Sequence, residues 1–259
     1  MLRARTSGAA AIECSLDLER SVTTVEIREA EWVCQGGTYP YLERCKDRTV
    51  YYWSDCEFRP VARYNSSLIK LIPTEWGAPT FEIDGIKMLP TAADSPFADA
   101  ERKVGLIQPQ GKIVLDTCGG LGYFAAWCVR GRAALVKSYE KNADVIWLRS
   151  LNPWSPSPTP ALTLTQADIT VAVETLPDRS IDAILHDPPR FGIAGELYSQ
   201  RFYSQLARVL KRRGKLFHYT GSPNRTSRAR DLPGEVMGRL RRCGFAAERT
   251  GDGILAVRD

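Results

Sequence analysis

The sequence predicts an α/β protein in which an open, mostly parallel sheet carries helices on both faces, with a small mostly-β domain ahead of it. Three observations carry this reading. From Gly111 onward, apolar runs of strand length alternate with amphipathic segments of helix length, the pattern of successive βαβ units. The first run, Lys112–Asp116, leads through glycines 119, 120 and 122 into a segment where Leu121, Phe124, Ala125 and Cys128 recur at helical spacing. The last two strands, Ala246–Thr250 and Ile254–Val257, flank Gly251-Asp-Gly253, which is hairpin chemistry.

Taken in order, residues 1–14 read as a flexible tail that carries Arg3 and Arg5 and lacks the apolar core of a signal peptide. Residues 15–93 hold short β-forming runs (Ser21–Ile27, Thr49–Trp53, Leu68–Ile72, Thr80–Ile83) separated by Gly, Pro, Asn and Asp, and read as the small β-rich domain. Residues 94–110 read as a linker with a short helix, and residues 111–259 as the large domain. Its expected elements are helix Gly122–Val129, strand Ala134–Tyr139, helix Asn142–Ser150 stopped by Pro153, and strand Ala161–Thr165. A polar helix around Val171–Leu176, strand Ile181–His186 and a long helix Gly195–Arg212 ended by Gly214 follow. Strand Lys215–Tyr219 and helix Gly234–Arg242 complete the domain before the hairpin.

Bulk properties narrow the class. No apolar run reaches the roughly 18–20 residues that span a bilayer. The seven cysteines are odd in number and lack paired C-x-x-C spacing, and Cys34, Cys45 and Cys56 match no usual zinc knuckle, so reduced thiols in a cytoplasmic setting are expected. The net charge of +5 is unevenly placed: Arg201–Arg242 holds twelve Lys/Arg against Asp231 and Glu235. That stripe reads either as an RNA-facing surface or as a solvated helix face with a basic loop.

Four sites fall at the carboxyl ends of successive strands, where an open α/β sheet binds its ligand. The first is the turn Asp116–Gly122, whose glycines let a ligand approach the backbone and whose following helix start offers N–H groups. The second is Glu140, placed to accept both ribose hydroxyls of an adenosine. The third is Asp168, placed to accept from an adenine amine. The fourth is Asp187-Pro-Pro-Arg-Phe191. Two prolines stiffen that backbone and remove two N–H donors, leaving the carbonyls of Asp187 and Pro188 beside a carboxylate that can orient an amine and take its proton. His186 and His218, both histidines of the chain, fall at the ends of the fourth and fifth strands; they read as core residues singly and as a proton-handling pair together, with a metal site including Asp187 as the lesser reading. Tyr198 and Tyr219 are candidate pocket walls, and Trp154 a candidate adenine cover.

These residues resemble a class I S-adenosylmethionine-dependent methyltransferase, in particular a largely archaeal group with a β-rich N-terminal region and a strand ending His-Asp-Pro-Pro-Arg-Phe. The resemblance rests on Ser15-Leu-Asp-Leu18, Leu115-Asp-Thr-Cys-Gly-Gly-Leu-Gly-Tyr123, Leu151-Asn-Pro-Trp-Ser155, His186-Asp-Pro-Pro-Arg-Phe191, Gly195-Glu-Leu-Tyr-Ser199, Arg208-Val-Leu210 and Phe217-His-Tyr-Thr-Gly221. It implies a Rossmann-like seven-stranded methyltransferase sheet with a closing antiparallel hairpin, and S-adenosylmethionine as cofactor. Carried over by position, Asp116, Cys118, Gly120 and Gly122 would hold the methionine and ribose side, Glu140 the ribose and Asp168 the adenine. His186, Asp187, Pro188 and Pro189 would form the catalytic loop, and Arg190, Phe191, Tyr198, His218 and Tyr219 would meet the acceptor.

Two positions depart from the family pattern. Cys118 stands where many methyltransferases have the first glycine of the turn. Arg190 replaces the aromatic residue with which base-methylating enzymes stack on a flipped base, and suits a carboxylate or phosphate as well as a base plane. The expected reaction is methylation of a nitrogen acceptor, either RNA or a small anionic metabolite or peptide. An aminopropyltransferase of the polyamine type is the alternative enzyme, and a non-catalytic RNA- or protein-binding module the alternative outside catalysis.

Overall fold

A computed structural model of the chain describes residues 1–91, 94–221 and 231–259. The chain divides into two compact units, Met1–Pro96 with Ser150–Trp154, and Phe97–Arg149 with Ser155–Asp259.

The first unit is antiparallel throughout. Ala11–Cys14, Thr23–Ile27, Glu31–Cys34 and Gly37–Pro40 form one four-stranded sheet, and Ala62–Tyr64, Leu68–Ile72, Thr80–Ile83 and Ile86–Lys87 another. Tyr51–Ser54 and Glu57–Pro60 form a separate hairpin. Three two-residue turns, Gln35-Gly36, Asp55-Cys56 and Asp84-Gly85, have both residues at positive φ, the geometry whose twist matches that of flanking strands. The N-terminus departs from the tail expected of residues 1–14: Leu2–Thr6 is helical, and Ile12 pairs with Val25 in the sheet. Alternating apolar Ile12 and Cys14 pack against the small core of Val25, Trp32 and Cys34, which holds this edge strand in place. The indole of Trp154 also belongs to this unit, donating to the Leu18 carbonyl at 2.9 Å.

The second unit opens at Phe97, within helix α1 (Pro96–Ile107), which is longer than the linker helix expected because Phe97, Ala100, Val104 and Ile107 form one buried stripe. Strands and helices then alternate: β1 (Ile113–Asp116), α2 (Tyr123–Arg130), β2 (Leu135–Glu140), α3 (Ala143–Leu151), β3 (Leu162–Gln166), α4 (Ile169–Thr175) and β4 (Ile181–His186). The remainder is α5 (Gln200–Val209), β5 (Leu210–Tyr219), α6 (Leu232–Arg242), β6 (Phe245–Thr250) and β7 (Gly253–Arg258). The sheet runs β3-β2-β1-β4-β5-β7-β6, parallel except for β7, which pairs antiparallel with both β5 and β6. The strand order reverses between β1 and β4, and the carboxyl ends of strands at such a reversal are where open α/β sheets generally bind their ligands.

The segment expected as one helix over Gly195–Arg212 is divided. Gly195–Tyr198 is a single 3₁₀ turn, and Ser199 leaves the helical region to cap α5, its hydroxyl accepting from the Phe202 amide. Lys211-Arg-Arg213 lies in β5, beyond the end of α5. Gly214 serves close packing instead of ending a helix, since a Cβ there would stand 2.7 Å from the Leu210 side chain.

Candidate active site

Asp116 ends β1 between β2 and β4, and its position in the middle of the sheet buries it completely. One carboxylate oxygen, Oδ2, accepts from the hydroxyl of Ser138, its register partner on β2, at 2.8 Å. The other, Oδ1, is buried with no protein partner. Burial pushes this carboxyl up to about 6, the Ser138 bond and the Arg149 cation pulling back and Glu140 pushing further. A buried acceptor without a donor costs about 1–3 kcal/mol, so such an atom marks a place where a ligand donor belongs.

The turn after Asp116 is held from below. Gly119 donates to the Tyr139 carbonyl at 2.7 Å, and a Cβ on it would stand 2.5 Å from the Ser138 hydroxyl. Gly122 sits at φ 81° as the cap of α2, with the Arg149 guanidinium where a side chain would go. Gly119 and Gly122 are thus glycines required by packing. Cys118 takes an ordinary backbone conformation and packs partly buried against the core.

Glu140 closes the same turn. Its Oε2 accepts from the Gly120 amide at 3.0 Å and its Oε1 from the Asn142 amide at 2.8 Å. Burial raises its pKa, against those backbone bonds and Arg149. Arg149 is the residue that the sequence reading missed. It projects from α3, is 5% exposed, and places its guanidinium within electrostatic reach of both Asp116 and Glu140. Its signal was legible: Val145, Leu148 and Arg149 share the buried stripe of α3, and a charge on an apolar stripe needs a buried partner.

Asp168 caps α4, Oδ1 accepting from the Thr170 amide and hydroxyl, while Oδ2 pairs with Lys141 at 2.8 Å. These bonds outweigh partial burial and hold its pKa low. The residue placed in sequence to meet an adenine therefore already has a partner at each oxygen, and this capping role is what the structure adds to that expectation.

Asp187 follows β4 directly, two residues past Leu185, the register partner of Asp116. Burial raises its carboxyl to about 6; Lys103 pulls it back, and Asp99, Asp116 and Asp252 push it up. Lys103 is the second residue missed. It lies on α1 at the buried i+3 position after Ala100, and its side chain is 1% exposed. Its ammonium contacts Asp99 at 2.5 Å and Asp252 at 3.4 Å and stands 4.0 Å from the centre of the Tyr219 ring. Burial disfavours that charge, but Asp187, Asp99 and Asp252 outweigh it and raise the lysine pKa. Tyr198 is buried, and its hydroxyl donates to the Pro189 carbonyl at 3.0 Å, pinning the loop; Phe191 meets it edge-on at 5.4 Å. Arg190 is exposed.

The two histidines correct an expectation. Both are 0% exposed, so neither presents itself at the rim as a proton-handling or acceptor-binding group. His186 meets the Thr117 hydroxyl at 2.7 Å and the Leu197 carbonyl at 3.1 Å. His218 meets the Tyr203 hydroxyl at 2.8 Å and the Tyr219 carbonyl at 2.8 Å. Their rings stack edge-to-face at 4.4 Å across the β4–β5 pair. Each nitrogen has a protein partner, so the pair fixes the ends of β4 and β5. Burial drives both pKa values down, His218 to about 4.

A stability effect follows from His218. Between its folded value near 4 and an unfolded value of about 6.5 the unfolded chain binds the extra proton, so this residue removes stability as pH falls through that window. Asp116 and Asp187, raised to about 6, act in the opposite sense, because there the folded state binds the proton. The expected result is that urea midpoints of the wild type fall relative to His218→Gln between pH 7 and pH 5. Parallel pH curves for the two proteins would contradict a buried neutral ring.

The basic region Arg201–Arg242 is not one open stripe. Arg201 pairs with Glu174, Lys211 with Asp182 and Arg239 with Glu235. Arg208 donates to the carbonyls ending α4, Lys215 to Leu106 and Gln108, Arg241 to Ala247, and Arg242 to Gln200. Arg225, Arg228 and Arg230 lie outside the described residues. No helix among the described residues is long and apolar enough to cross a membrane.

The sheet order defines an α/β fold with a mostly parallel seven-stranded sheet, and the glycine turn and the acids closing β1 and β2 sit at its carboxyl edge. The chain is 39% identical over 210 residues to the Uncharacterized protein MJ1233 of Methanocaldococcus jannaschii, over 80% of this chain and 72% of that protein, and it belongs to the family of that protein. No protein-family model matches it. Its fold is similar to crystal structures of spermidine synthase: one in complex with the transition state analogue AdoDATO (TM-score 0.61, 17% identity, 82% of this chain and 79% of that one), and one from Thermotoga maritima (TM-score 0.59, 17% identity, 82% and 78%). It is also similar to an S-adenosylmethionine-dependent methyltransferase from Mesorhizobium loti (TM-score 0.44, 17% identity, 61% and 94%).

Proposed function

We propose that the chain is an S-adenosylmethionine-dependent methyltransferase acting on a nitrogen acceptor held beside Asp187. The observation that carries this is the fully buried Oδ1 of Asp116, which makes no hydrogen bond and whose strand partner Leu185 lies two residues before Asp187 at the strand-order reversal. It fits the amino group of a bound amino-acid moiety, with the Gly119–Gly122 turn as the cradle and Glu140 beside it for the ribose. When bound, S-adenosylmethionine supplies a methyl group already activated by the sulfonium. What the chain adds is positioning: the stiff Asp187-Pro-Pro backbone aims its carbonyls at an acceptor N–H, and Asp187 accepts the proton that the nitrogen gives up on methylation.

Lys103 bears on the acceptor class. Asp99, Asp187, Asp252 and the Tyr219 face form an acidic, aromatic setting suited to an amine, and the chain's own ammonium already fills it. This disfavours a diamine and, with exposed Arg190 at the loop, favours a small anionic metabolite or peptide. The local partners of Arg201, Arg208, Lys211, Lys215, Arg239, Arg241 and Arg242 favour it over RNA, while Arg212 and Arg213 stand exposed. Aminopropyl transfer is the second reading, favoured by the fold shared with spermidine synthase over 82% of the chain.

Incubation with methyl-tritiated S-adenosylmethionine and a fractionated extract tests the proposal. Label in small molecules or peptides is the expected result, and label in RNA would overturn the acceptor class. Spermidine formed from putrescine and decarboxylated S-adenosylmethionine, with no methyl transfer, would overturn the reaction. In the same system Glu140→Gln is expected to weaken cofactor binding by about 1–3 kcal/mol in calorimetry. Unchanged affinity would mean that Glu140 only braces the turn.

A further inference from the structure

The first unit contains a cavity of about 810 Å³ that the proposed transferase chemistry does not use. Its walls include Trp32, Tyr39, Trp53 and Phe58, which form one continuous aromatic array. Trp32 stacks on Tyr39 at 4.5 Å, Tyr39 meets Trp53 edge-on at 5.2 Å, and Trp53 meets Phe58 at 4.8 Å. Two carboxylates, Asp17 and Glu19, line the same cavity, and among the described residues no Lys or Arg lines it. We propose that this cavity binds a quaternary ammonium headgroup.

The chemistry selects that ligand by elimination. Aromatic faces attract a cation through their negative quadrupole, and nearby carboxylates add charge of the right sign. A nucleotide would bring phosphates to a wall of acids with no cation to meet them, and a neutral apolar segment would leave the acids unexplained. A primary amine carries three N–H groups that need acceptors. Asp17 already accepts from the Ser15 hydroxyl at 2.9 Å and from the Ser21 amide and hydroxyl at 2.9 and 2.7 Å, so it offers charge more readily than free lone pairs. A quaternary ammonium has no N–H to satisfy and covers its charge with methyl groups that pack on aromatic rings.

The test is a titration of tryptophan fluorescence in the full-length protein with choline, with its neutral carbon isostere 3,3-dimethyl-1-butanol, and with AMP. Saturable binding of choline, at least about tenfold tighter than the isostere, is expected from cation–π attraction together with the two carboxylates. Glu19→Gln and Trp53→Leu, each checked for an unchanged far-UV spectrum, are expected to weaken choline several-fold. Equal binding of choline and the isostere would overturn the proposal in favour of a merely apolar cavity. Binding of AMP without choline, or no saturation by choline, would overturn it outright. The wild-type comparison decides even where a variant fails to fold.

Discussion

Replacing Asp187 with Asn is expected to lower kcat by about 10²–10⁴-fold while leaving S-adenosylmethionine affinity near that of the wild type, because the group acts on the acceptor proton and not on the cofactor. The substitution keeps size and polarity, so the Pro188-Pro189 backbone and the Tyr198 bond to the Pro189 carbonyl stay in place. A pH dependence accompanies it. With its carboxyl near 6, Asp187 is protonated below that value and unable to accept, so the wild-type rate should rise about tenfold per pH unit up to about 6 and level off above. Lys103 is the cation that holds this value down, so Lys103→Met should move the inflection to higher pH. Turnover within a few-fold of wild type in Asp187→Asn would make the acid a strand-ending residue only.

The second large effect concerns stability. Arg149→Met keeps the aliphatic stem but removes the guanidinium that acts on both Asp116 and Glu140 beside the glycine turn. Removing one partner of a buried charge set costs about 3–5 kcal/mol, because the remaining charges lose their compensation. For a unit of this size each kcal/mol lowers the midpoint by about 2–4 °C, so a drop of roughly 6–20 °C is expected in a thermal melt. A loss below about 1 kcal/mol would mean that the two acids are neutral in the folded state and that Arg149 is held by packing alone.

Much of the sheet was legible in the sequence because β1, β2 and β4 combine strong apolar runs with sharp turn chemistry. The placement of Asp116, Glu140 and Asp187 at strand ends was legible for the same reason, since each ends such a run. What escaped was decided by partners distant in the chain. Arg149 looks like an ordinary charged helix residue until the glycine turn packs on it, and Lys103 sits in a segment whose apolar stripe was read as a linker. The two histidines were read as a rim pair from their register, which the structure keeps: His186 lies opposite His218. The depth was not in the register. Thr117, Leu197 and Tyr203, brought to the rings only by the fold, and the adjoining Tyr219 carbonyl supply partners for all four ring nitrogens. The strand at Ala11–Cys14 was hidden in an arginine-containing, weakly patterned terminus and is fixed by pairing with Thr23–Ile27.

Calorimetric titration of the wild type and Asp116→Asn with S-adenosylmethionine tests the central claim most directly. The expected result is saturable binding by the wild type and at least about tenfold weaker binding by the variant, since a charge-assisted bond to the ligand amine is worth about 1.5–3 kcal/mol. No heat from the wild type up to 1 mM cofactor, a limit of about −4 kcal/mol, would contradict it.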